Sequence, residues 1–129
     1  MELRFMDNKK NDKYYVEKIL ENVNFIIKYT KNISYEEYIN DELLIDASMF
    51  RLIQIAENIK GLSEDSKKTH ASIPWGLILG FRNGIVHDYG KTDYSIVYEI
   101  ISDDIHKLKN ELENDEYYEP LLLDEEGQC

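Results

Sequence analysis

The chain is poor in cysteine: its single one, Cys129, is the last residue. That rules out an intramolecular disulfide and any zinc-type cysteine spacing, and it suits a reducing, cytoplasmic setting. Proline (2) and glycine (6) are scarce, which argues against a loop-rich or many-stranded fold and for long regular elements. Long apolar runs are missing too. No segment approaches the roughly 20 apolar residues of a membrane span, and Met1 to Lys13 holds no apolar run suited to a signal peptide. Excess positive charge is also lacking. The net charge is -11, which at first argues against a nucleic-acid partner; no DNA partner is expected, and no strongly basic binding face is evident.

The charge is unevenly spread. From Glu111 to the end there are eight acids and no lysine or arginine. The rest holds 18 acids against 15 bases and is nearly balanced. With 43% apolar and 32% charged residues in 129, the composition suits one globular domain with a real core. The expected division is a helical bundle over 1–113 and an acidic C-terminal tail over 114–129.

Apolar residues recur with helical spacing, and no stretch alternates with period two between turn signals. Val16, Ile19, Leu20, Val23, Ile26 and Ile27 make one stripe, predicting a helix over 12–31 after a polar start. Ser34-Tyr35-Glu36-Glu37 matches a capping box for a short turn of helix at 35–39. Ile45, Met49, Leu52, Ile55, Ala56 and Ile59 predict a helix over 42–60, capped by Asn40 or Asp41 and stopped by Gly61. Glu57 lies beside that stripe and reads as a boundary carboxylate. Ser63 caps a short polar helix reaching about Thr69.

Pro74 suits a first helical position. The helix it opens is apolar almost all round: Trp75, Leu77, Ile78, Leu79, Phe81, Ile85 and Val86. Such a helix is central or lies at a subunit interface. Gly90 is expected to close it in a left-handed cap. A last helix over about 94–113 carries Ile96, Val97, Ile100, Ile101, Ile105, Leu108 and Leu112. The fold class is therefore all-α, a bundle of four main helices with one or two short extra helices.

The chemistry is concentrated from Arg82 to Tyr89. On a helix, Asn83 and His87 share a face, and Arg82 and Tyr89 share another. A histidine near its ordinary pKa can take the proton of a ribose 2′-hydroxyl. An arginine can grip a phosphate with two parallel hydrogen bonds. Asn83 can orient the histidine or hold a phosphate oxygen, and Tyr89 can hydrogen-bond the phosphate or be modified. The set suits phosphodiester cleavage without a metal. His70, His87 and His106 have no metal-ligand spacing, so neither metal nor cofactor is expected. Arginine, histidine and tyrosine at a helix end also serve as caps and surface contacts, and the residues alone leave both readings open.

Arg82-x4-His87-x-Tyr89 resembles the R-x4-H-x-Y motif of HEPN-domain ribonucleases. Its context resembles the HepT-like branch of that family: Arg51 to Ser63 is similar to the second-helix signature, Ile73-Pro74-Trp75 with Gly80-Phe81-Arg82-Asn83 to the central helix, and Asp93 to Ile100 to the start of the final helix. The resemblance implies a HEPN-type four-helix bundle and a homodimer whose motifs face a shared cleft. It implies a metal-independent endoribonuclease acting on RNA, such as tRNA or mRNA, as the toxin of a toxin-antitoxin pair. The partner it implies is an MNT-type nucleotidyltransferase antitoxin, which in some pairs transfers AMP onto the motif tyrosine. Carried over, Arg82 and His87 are catalytic, Asn83 supports them and Tyr89 is the AMPylation site. The alternative is a non-catalytic helical binding module that partners the nucleotidyltransferase.

Overall fold

The computed structural model describes the backbone of residues 2–114 and the side chains of 11–114 except 77, 86 and 89. Of the expected tail only Asn114 falls among them, closing the last helix through its N–H to the Glu111 carbonyl; 115–129 lie outside the described residues. Every regular element among the described residues is helical: α1 (Glu2–Thr30), α2 (Tyr35–Ile39), α3 (Glu42–Gly61), α4 (Glu64–Thr69), α5 (Trp75–His87), α6 (Tyr94–Glu99) and α7 (Ile105–Glu113). A 3-10 turn, Tyr89–Lys91, follows α5, and a π-helical turn, Ile100–Asp104, joins α6 to α7 into one long rod. The architecture is the expected all-α, HEPN-type bundle: four long helical segments and two short ones. No helix among the described residues is long and apolar enough to cross a membrane.

The helix ends follow local chemistry. Ser34 accepts from the Glu37 N–H at 3.1 Å while the Glu37 carboxylate accepts from the Ser34 N–H at 3.2 Å, completing the capping box. Asp41 caps α3 by accepting from the Leu44 N–H. Ser63 caps α4. Its hydroxyl and N–H also donate to the two oxygens of buried Asp12, at 2.6 and 2.8 Å, which clamps α1 to the α3–α4 junction. Gly61 sits against the Tyr15 ring, where any Cβ would collide with it.

Three expectations need correction. The first helix begins at Glu2, ten residues before the expected start, because no glycine or proline interrupts the helix formers of that stretch. Pro74 stands at the N-cap of α5 instead of its first turn, and contributes no side-chain cap bond because it has no acceptor. Gly90 lies in the 3-10 turn without a positive φ; the non-glycine residue that takes the left-handed conformation is Asn32, φ 59°, after α1.

The core lies between α1, α3 and the α6–α7 rod. Val16, Ile19, Val23, Met49, Ile55, Ile59, Val97, Leu108 and Leu112 are almost wholly shielded from solvent. Tyr38 from α2 is inserted among them. Ser48 donates to the Ile45 carbonyl, so the Tyr38 hydroxyl donates to Ser48 Oγ at 2.6 Å. Burial pushes the Tyr38 phenol up to about 12. Helix α5 rests on α3 and on the turn that follows it.

Candidate active site on α5

α5 is held at both ends. The Trp75 indole N–H donates to the Lys67 carbonyl, tying the start of α5 to α4. Asp88 closes the other end with its N–H on the Gly84 carbonyl. Between them, Ile85 is buried, while Trp75, Ile78, Leu79 and Phe81 are only half-buried. The helix is thus not central within one copy of the chain. Gly76, Gly80 and Gly84 follow at four-residue spacing, and a Cβ at any of them would meet open space.

Arg82 lies half-buried on α5 and reaches across to α3. Its Nη2 meets Glu57 Oε1 at 2.5 Å, and its Nη1 donates to Asn83 Oδ1 at 3.1 Å. Its Nε is shielded from solvent without a hydrogen-bond partner among the described residues. The guanidinium plane is therefore fixed from two sides. Lys60, one turn along α3, also approaches Glu57, at 3.6 Å. Glu57 is the site residue that sequence reasoning passed over. Its position beside the apolar stripe was visible, but its partner is 25 residues away in the chain, and periodicity within one helix carries no such information.

Asn83 and His87 are exposed and share a face of α5, as their spacing predicts. Asn83 spends its carbonyl oxygen on Arg82, not on His87. His87 is the last residue of the helix, about 7.5 Å along the axis from Arg82 at ideal rise. Tyr89 opens the 3-10 turn just beyond. Asp88 and Lys91 form an exposed ion pair across that turn at 3.7 Å. Arg82, Asn83 and His87 thus come from one helix, with the guanidinium set by its neighbour. An arginine oriented in this way binds an anion at little further entropic cost, and the exposed imidazole at the end of the same helix can move a proton on a ligand long enough to reach both.

Comparison with known proteins adds the following. The family described as ribonuclease HepT-like matches residues 19–114. A Methanocaldococcus jannaschii protein named "Putative RNase MJ1380" is 32% identical over 106 residues, 82% of this chain and 97% of that protein. A Thermococcus cleftensis protein named "Probable ribonuclease HepT" is 30% identical over 105 residues, 81% of this chain and 96% of that protein. No solved structure is a significant match.

Proposed function

The chain belongs to the HepT-like ribonuclease family, and we propose that it is a metal-independent endoribonuclease acting as the toxin of a HEPN/MNT toxin-antitoxin pair. The observation that carries the site is the Arg82 guanidinium, held by Glu57 and Asn83 on the helix that ends in exposed His87.

In the proposed step, His87 takes the proton of a ribose 2′-hydroxyl, and the 2′-oxygen attacks the adjacent phosphorus. Arg82 stabilises the charge gathering on the non-bridging oxygens. The 5′-oxygen leaves and is protonated, by water or by a second imidazole, leaving a 2′,3′-cyclic phosphate and a 5′-hydroxyl end. Asn83 supports the step by steadying Arg82.

A second copy of the chain completes the site. The half-covered apolar side chains of α5 and the open positions at Gly76, Gly80 and Gly84 suit close approach of another α5, which would bring two Arg82–His87 sets to one cleft. Sedimentation should give a dimer for the wild type and a monomer for Gly80→Glu.

Control by the nucleotidyltransferase partner falls on Tyr89. Its phenolic oxygen attacks the α-phosphorus of ATP, pyrophosphate leaves, and the adenylate puts bulk and negative charge next to His87, where RNA phosphate must sit. Co-expression with the partner should add one adenylate mass to the wild type and none to Tyr89→Phe.

The deciding experiment incubates the purified chain with total RNA in the presence of a metal chelator, alongside His87→Ala. Cleavage by the wild type and none by the variant is expected. Equal cleavage by both, or none by either, refutes the catalytic reading. The acidic composition favours a second reading, a non-catalytic module that uses Arg82 to bind the nucleotidyltransferase. Loss of co-purification in Arg82→Ala, with no RNA cleavage by the wild type, would support it.

A further inference from the structure

A groove of about 600 Å³ runs between α1 and α3, which supply all of its lining residues. It differs from its surroundings in charge. Its lining has two cations, Lys18 and Arg51, against one carboxylate, Glu21, in a chain whose net charge is -11. Three other depressions on the described surface have net acidic linings.

Arg51 is the more telling cation. Its guanidinium stacks on the Phe25 ring at 3.8 Å and donates to Asn22 Oδ1 at 3.1 Å. Among the described residues no carboxylate pairs with it. A fixed cation held by neutral contacts alone keeps its charge free for an anion. Lys18, tethered to Glu21 at 3.4 Å, lies on the opposite wall.

Two half-exposed rings stand on the same groove: Phe50 is 50% exposed, and Tyr14, 53% exposed, carries the Lys18 ammonium over its ring at 5.8 Å. Exposed rings beside a free cation are what a single strand needs, since its bases stack and its phosphates seek charge. The groove also leads toward the candidate active site. Phe50 and Glu57 are seven residues apart on one face of α3, about 10 Å along its axis, with Gln54 of the groove between them. Glu57 is the residue that grips Arg82.

We infer that the α1–α3 groove is a binding track for single-stranded RNA, with bases stacked on Phe50 and Tyr14 and phosphate held by Arg51, feeding the strand toward Arg82. The inference rests on the ribonuclease reading for its ligand, and its test separates the two.

The full chain carrying His87→Ala is titrated into a fluorescein-labelled, uridine-rich RNA single strand and followed by anisotropy. Cleavage of total RNA by the wild type is scored in parallel. Adding Phe50→Leu should weaken binding by about tenfold, and Phe50→Tyr, which keeps the ring, should not. Adding Arg51→Met should weaken binding and lower the salt slope by about one. Thermal melts of all variants identify any that fail to fold, and the Leu against Tyr pair reads stacking independently of folding. Unchanged affinity in both Phe50→Leu and Arg51→Met overturns the track and leaves the groove to a protein contact. So does failure of the His87→Ala protein to bind the strand at all. If the groove variants change affinity while the wild type cleaves nothing, the track stands and the catalytic reading falls. If the wild type cleaves and the groove variants bind unchanged, the track alone falls.

Discussion

The α1–α3 pair and α5 are built from the same kinds of apolar residue, yet they end in different states. In α1 and α3 the stripes close on each other and on the α6–α7 rod, and the buried polar groups beneath them are answered: Asp12 by Ser63, Tyr38 by Ser48, Thr30 by the Ile26 carbonyl. In α5 one described apolar side chain is fully buried, three glycines face open space, and an arginine, an asparagine and a histidine crowd the C-terminal half. A helix satisfied within its own chain is scaffold. A helix left half covered, and carrying groups that titrate or bind anions, is the one on which the proposed second copy and the proposed chemistry fall.

The largest effect expected from this contrast is on catalysis. His87→Ala and Arg82→Ala should each lower RNA cleavage by roughly 10²- to 10⁴-fold while leaving the melting temperature nearly unchanged. A collapse of the melting temperature would break the comparison, since α5 would then be scaffold after all. The mirror experiment lies in α3. Ile55→Ala removes a side chain that is 1% exposed in the core and should cost about 2–5 kcal/mol in urea unfolding, with activity per folded molecule kept.

Glu57→Ala probes the seam between the two regions. It removes the carboxylate that holds Arg82, and the side chain is 40% exposed, so stability should hardly change. If Glu57 orients the guanidinium, kcat should fall roughly ten- to a hundredfold with KM for RNA nearly constant. Glu57→Asp, which keeps the charge on a shorter arm, should recover part of the loss. A lower KM with undiminished kcat would mean that Glu57 competes with phosphate for Arg82.

What could be read from the sequence followed the range of each signal. Stripes such as Ile45 to Ile59, and caps such as Ser34 with Glu37, depend on neighbours within a few residues, and the observed helices match them closely. The placing of Arg82, Asn83 and His87 on one helix also came from spacing alone. The Glu57–Arg82 pair did not, because it joins two helices whose relative placement no local pattern encodes. The clamp of Asp12 on Ser63 escaped for the same reason. Gly90 misled because a glycine permits a positive φ without requiring one, and here a 3-10 turn satisfied the chain instead.

The smallest effect expected is inside the scaffold itself, where one carboxylate is poorly matched to its surroundings. Asp104 ends the π-helical turn, and partial burial, with Asp103 beside it, raises its pKa above the ordinary carboxylate value. Lys107 forms its closest bond, 3.0 Å, with Asp103, so Asp104 receives only part of that charge. The folded chain therefore holds the Asp104 proton more tightly than the unfolded chain does. Below the unfolded pKa both states are protonated and the site costs nothing. As pH rises through the unfolded value and then the folded one, ionisation favours the unfolded state and stability is lost. Asp104→Asn removes that loss. Its melting temperature should match the wild type in acid and exceed it slightly at neutral pH. A gain of equal size at both pH values would place the benefit in packing instead of charge. A fall at neutral pH would mean that Lys107 stabilises the ionised Asp104 more than burial opposes it, and the α6–α7 rod would then carry no mismatch to set against the exposed polar groups of α5.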